Sequence, residues 1–144
     1  MHKTRDMIEI EDILEVMGRE AKKVCENVIP QNRPNATDSK LSQFIVVSLP
    51  YSVVNKMLGE DDDWWLDLTV VFEIYVADQK GARNPKRAHL NTMRDLRSSL
   101  RSLFPIVDRN LGIKITRPKT VIPSASDGDG YHYSRIQARM TTMV

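Results

Sequence analysis

Hydrophobic and polar positions alternate most regularly over WWLDLTVVFEIYVA, Trp64 to Ala77. Trp64, Leu66, Leu68, Val70, Phe72, Ile74 and Val76 share one parity; Asp67, Thr69, Glu73 and Tyr75 share the other. A period of two predicts a long, half-buried strand. After DQKGARN the period lengthens. Leu90, Met93, Leu96, Leu100, Leu103, Phe104 and Val107 predict a second helix, with Asn84 placed to cap it, Pro85 at its first position and Pro105 fraying its end. A first helix is predicted from about Asp6 to Val28, where Ile10, Ile13, Leu14, Met17, Ala21, Val24 and Val28 recur at helical steps, and Pro30 stops it. Asp6 and Glu9 resemble a capping pair, and Lys22 and Lys23 sit toward the carboxyl end, as the helix dipole favours.

Between the helices, Phe44–Leu49 reads as a short strand that Pro50 interrupts, and Tyr51–Leu58 as a second short strand or an extended excursion. Gly59–Asp63 is a turn into the long strand. Beyond the second helix, Ile113, Ile115, Val121 and Ile122 mark a strand or bent pair broken by Pro118 and Pro123. Tyr131–Met143 alternates again, with Ile136, Ala138 and Met140 inward and Arg135, Gln137 and Arg139 outward. Helix, two or three strands, helix, two strands favours α+β: an antiparallel (mixed) β-sheet of about four to five strands with two main helices packed on one face. Exposed loops are expected near 31–40, 79–84 and 124–130.

Composition changes little in this picture. A chain of 144 residues suits one domain, 1–144, which buries somewhat under ~70% of its unfolded surface. Its 28% charged and 41% hydrophobic residues are ordinary globular values, and a formal charge of +2 creates no strong overall field. The single cysteine, Cys25, excludes an internal disulfide and a cysteine-based zinc site, and is expected buried on the first helix. No apolar run approaches the ~20 residues that span a bilayer, and MHKTRDMIEIED carries acids where a signal peptide needs an apolar core. The expectation is a soluble, cytosolic protein.

Candidate chemistry is sparse. The acids Glu60–Asp63 lack the offsets of an EF-hand loop and read as a solvated hairpin tip. Glu73, Asp78 and Lys80 invite comparison with a metal-dependent nuclease, but Glu73 and Asp78 differ in parity and Lys80 falls in a loop. His2, His89 and His132 are not at ligand spacing, and no nucleophile elbow or phosphate loop is present. No catalytic residue, metal ligand or cofactor is assigned.

The basic residues are more suggestive. Lys80, Arg83, Lys86 and Arg87 gather at the start of the second helix, and Arg94, Arg97 and Arg101 follow opposite its leucines. This is either the wet face of an amphipathic helix or a contact for nucleic-acid phosphate or an acidic neighbouring subunit. Trp64 and Trp65, adjoining the acidic turn, are candidate interface anchors.

The succession of an opening helix, VIPQNRP, FIVVSLPY, DLTVVFEIYVAD, ARNPKRAHLNTMRDLRSSLRSLF and YHYSRIQARMTTM resembles the phage tail-terminator, or tail-completion, family across nearly the whole chain. The turn Glu60–Asp63 and the segment Arg117–Pro123 depart from that pattern. The resemblance implies a non-enzymatic virion protein, assembled in the host cytoplasm into a homo-oligomeric ring, commonly of six subunits. Such a ring caps the tail tube and joins it to the head–neck connector, with DNA passing through its lumen. It implies no cofactor and no membrane partner. Other classes left open are a small nucleic-acid-binding module using the Arg94, Arg97, Arg101 stripe, and a nuclease centred on Glu73 and Asp78.

Overall fold

The computed structural model describes residues 9–30, 41–49, 55–58, 63–78, 85–118, 120–126 and 130–142, the backbone alone for 55–58, 63–67, 85–89 and 120–126. The elements are α1 (Ile10–Ala21), β1 (Val28–Pro30), β2 (Gln43–Ser48), β3 (Asn55–Leu58), β4 (Asp63–Ala77), α2 (Pro85–Arg101), β5 (Ile106–Asp108), β6 (Ile113–Ile115), β7 (Thr120–Ser126) and β8 (Tyr131–Thr142). The class is the expected α+β. The sheet is larger than expected: six strands run in the order β1-β2-β4-β8-β6-β5, with β3 paired to β4 and β7 to β8 off that path. All pairs are antiparallel except β1 with β2.

Two long strands form the spine, and both alternate as the sequence predicts. Val70, Phe72, Ile74 and Val76 of β4 and Ile136, Ala138 and Met140 of β8 are buried in one core. Ile13, Leu14, Val16 and Met17 from α1 and Met93, Leu96 and Leu100 from α2 close it from the same face. Each such side chain, fully buried, contributes about 1.5–3 kcal/mol. Packing of α1 on β1 and β2, and of α2 on β4 and β8, divides that face between the helices. Yet Arg19 of α1 reaches Asp108 of β5, at the far end of the strand order. The sheet therefore curls until α1 lies between its two terminal strands.

Prolines fall where the ladder can spare a donor. From Ser48 to Asn55 the chain advances seven residues while its partners on β4 retreat five, from Val71 to Leu66. Pro50, between those strands in sequence, lies outside the described residues. On the other side, β6 and β7 share one edge of β8, joined by the Thr116 amide donating to the Arg139 carbonyl (2.9 Å). Pro118 lies between those strands, and Pro123 lies within the register shift between Ile122 and Ala125.

Three boundaries differ from expectation. The first helix ends at Ala21, not Val28, and Cys25 is buried in the turn after it rather than on it. Here strand pairing outcompetes helix propagation: the Asn27 carbonyl accepts from Ile45 N (2.9 Å), Asn27 Nδ2 donates to the Gln43 carbonyl (3.3 Å), and Val28 pairs Ile45. At its start, the Glu9 amide donates to Asp12 Oδ2 (3.2 Å), so the capping pair is Glu9 with Asp12. Asp6 lies outside the described residues. The second helix ends at Arg101, and Val107, expected on its apolar face, is exposed in β5. The residue before a proline is driven toward extended backbone, so Phe104–Pro105 ends the run, and Ile106 and Asp108 pair with β6 instead. Of the three expected loops, 31–40 and 79–84 lie outside the described residues, while Ser124–Ser126 belongs to β7.

The second face of the sheet is not simply wet. Phe44, Val46, Tyr75 and Tyr131 form a separate buried cluster there. The Phe44 ring stacks on Tyr75 (centroids 4.7 Å) and meets Tyr131 edge-on (5.2 Å), and Tyr131 Oη donates to the Leu41 carbonyl (2.7 Å).

Candidate functional site

The residues singled out for contact with partners divide by position. Lys80 and Arg83 lie outside the described residues. Lys86 and Arg87 occupy the first turn of α2, described by backbone alone, and Pro85 takes the first helical position as expected. Arg94 and Arg101 are exposed on α2. Arg97 behaves differently: it is half-buried, and its Nη1 donates to Ser134 Oγ (3.2 Å), a hydroxyl with no exposed surface on the core face of β8. Arg97 thus ties α2 to the sheet, and the exposed stripe reduces to Arg94 and Arg101.

The two carboxylates of the nuclease comparison are each engaged. Glu73 accepts from Arg135 Nε and Nη2 (3.3 and 3.2 Å) at a directly paired position on β4 and β8. Asp78 Oδ1 meets His132 Nδ1 where β4 ends beside β8. No group of three His, Cys, Asp or Glu side chains among the described residues is arranged to hold a metal ion.

A polar site that pattern reading did not reveal is Asp108. Its side chain is 8% exposed; Oδ1 accepts from the Leu111 amide (2.9 Å) and Oδ2 from Arg19 Nη2 (3.0 Å). Burial pushes this carboxyl up, but the Leu111 amide, the Arg19 guanidinium and the Asn110 amide outweigh it, and the net pKa is lowered. Asp108 also shapes the turn into β6, where Gly112 adopts a positive φ of 68°. An aspartate three residues before a paired amide is a local turn signal, but its partner Arg19 is 89 residues away in sequence.

Two features could receive another chain. Trp64 and Trp65 stand at the start of β4, paired with Met57 and Lys56 of β3; pairing of β4 with β8 begins only at Asp67, so β3 and this end of β4 continue past β8 as a two-stranded arm. Along α1, a groove of ≈ 640 Å³ has Leu14, Gly18, Val28, Pro30 and Val47 as its apolar lining and Glu11, Glu15, Arg19 and Lys22 as its charged lining. Ile10, Leu90 and Val107 are further exposed apolar side chains.

No family model and no curated protein matches this chain. Among solved structures, one chain at 16% identity aligns over 92% of this chain and 91% of its own length with a TM-score of 0.51. That protein bears no functional name, and a likeness at this identity concerns the fold alone. No helix among the described residues is long and apolar enough to cross a membrane.

Proposed function

We propose that this chain is a structural virion protein of the tail-terminator or neck-ring type, a non-enzymatic protomer that assembles with copies of itself into a ring between the tail tube and the head–neck connector. The observation that carries the reading is the pair of unlike features on one protomer: the β3–β4 arm and the apolar groove along α1. A closed ring needs two different surfaces that fit each other, whereas a two-fold dimer needs one that fits itself. The resemblance in element order supports the same reading. Tryptophans at the arm are suited to anchoring such a contact. Basic residues at the start of α2 would meet an acidic neighbour or DNA in the lumen.

The test is size-exclusion chromatography with light scattering, with and without a tail-tube protein. A discrete ring that dissociates on Trp64→Ala/Trp65→Ala is the expected result. A monomer at every concentration, with or without the tube, refutes the proposal.

A further inference from the structure

Where the last turn of α2 meets the chain between β6 and β7, a cleft of ≈ 450 Å³ is lined by Ser98, Arg101, Ser102, Phe104, Arg117 and Pro118. Two guanidinium groups from separate segments share one opening, and no carboxylate is among these lining residues. Other arginines are held within the fold: Arg19 by Asp108, Arg135 by Glu73, Arg97 by Ser134. Arg101 and Arg117 are exposed, and neither side chain has an ion-pair partner among the described residues.

We propose that this cleft binds a phosphate of a nucleic-acid backbone. The site offers two planar forks and the Ser98 hydroxyl. A carboxylate is planar, so one in-plane fork covers it; the oxygens of a phosphate are tetrahedral, and forks arriving from two directions each find one. The carbonyl end of a helix opposes an anion with roughly half a charge. Here the amides of Ser102, Leu103 and Phe104 already occupy the carbonyls of Ser98, Leu100 and Arg101, and two full positive charges outweigh what remains. Phe104 is only 5% exposed, so it offers no ring on which a base could stack. Contact is therefore with the backbone and carries no sequence preference. Arg94 extends the cationic surface: it is exposed on the same face of α2 two turns back, about 10 Å along the helix from Arg101. The inference goes beyond the ring reading and stands without it, because a free protomer already carries the whole cleft.

Fluorescence anisotropy with two short labelled duplexes of unrelated sequence, across a salt series, tests it on the full chain. Wild type is expected to bind both duplexes equally, with affinity falling as salt rises. Arg101→Gln/Arg117→Gln is expected to weaken binding roughly tenfold at low salt and flatten the log–log salt slope by about one. Arg117→Lys should keep the slope and lose part of the affinity, since it retains the charge but not the fork. Arg109→Gln, exposed in the turn between β5 and β6, should leave the slope unchanged, and thermal melts confirm that each variant is folded. Inorganic phosphate alone should shift the amide resonances of Ser98 and Arg117. Absence of duplex binding, a double variant with wild-type affinity and slope, or polyglutamate competing as well as DNA each overturns the proposal, the last by assigning the cleft to an acidic protein. Light scattering on the same samples reports ring formation separately, so failure of one reading is distinguishable from failure of the other.

Discussion

Removing the Asp108 carboxylate should release α1 from the last strand of the sheet. Asp108→Ala takes away the acceptor of the Leu111 amide and of Arg19 Nη2 at a site 8% exposed. A hydrogen bond to a charged group contributes about 1.5–3 kcal/mol, and the Leu111 bond carries most of that loss. Arg19 contributes less: its side chain is 54% exposed, so its half of the ion pair is worth about 0–1 kcal/mol. Asp108→Ala should therefore cost about 2–3 kcal/mol, Asp108→Asn about 1 because one acceptor oxygen stays, and Arg19→Ala less than about 1. Urea denaturation reads these as shifts in midpoint at constant slope. The pH dependence has a definite sign. Because the folded carboxyl has a lowered pKa, its contribution is complete above the unfolded value of about 3.9 and disappears as pH falls through the folded value. The gap between wild type and Asp108→Asn should hold near neutrality and close on the acid side of about pH 4. A gap that persists undiminished below that point, or an Arg19→Ala cost equal to that of Asp108→Ala, would refute the reasoning.

On the other face of the sheet, Phe44→Ala should cost about 3–5 kcal/mol, since the ring is 1% exposed and stacked on Tyr75; near-ultraviolet circular dichroism and a urea melt would show it. Arg97→Ala should destabilise by about 1 kcal/mol or more, because Ser134 Oγ is fully buried, whereas Arg94→Ala stays within about 0.5 kcal/mol; equal costs would show that Arg97 does not pin the helix. Gly18→Ala should raise stability by about 0.5–1 kcal/mol, since the glycine is inside α1 and an added Cβ would sit 3.9 Å from Val28 Cγ1, an ordinary contact; a lowered melting temperature would contradict this.

What the sequence made legible follows from how many faces an element buries. In β4 and β8 the helices cover one side, so polarity and burial alternate together, and the inward sets were readable residue by residue. The same logic misplaced Tyr75, whose parity is polar but whose ring lies in the second cluster; FIVV in β2, apolar at every position, was the sign that both sides are covered there. Helix ends were unreadable because the competitor was remote. Val24 and Val28 satisfy helical spacing, and only the bonds from Asn27 to Gln43 and Ile45 decide for a strand. Of the candidate contact residues, Arg94 and Arg101 are exposed as expected of a wet face, but Arg97 is distinguished from them by Ser134, 37 residues on.

Periodicity sorts residues into faces, but it cannot tell a charge that stands in water from one that is held by the fold. That distinction matters most for the arginines. Spacing alone makes Arg94, Arg97 and Arg101 equivalent, yet the β8 hydroxyl withdraws Arg97, and the chain between β6 and β7 places Arg117 beside Arg101. The cationic surface is therefore assembled across the helix–sheet junction rather than along one helix. A variant at Arg117, a residue no helical repeat would single out, should accordingly change phosphate contact more than one at Arg97, which should instead change stability.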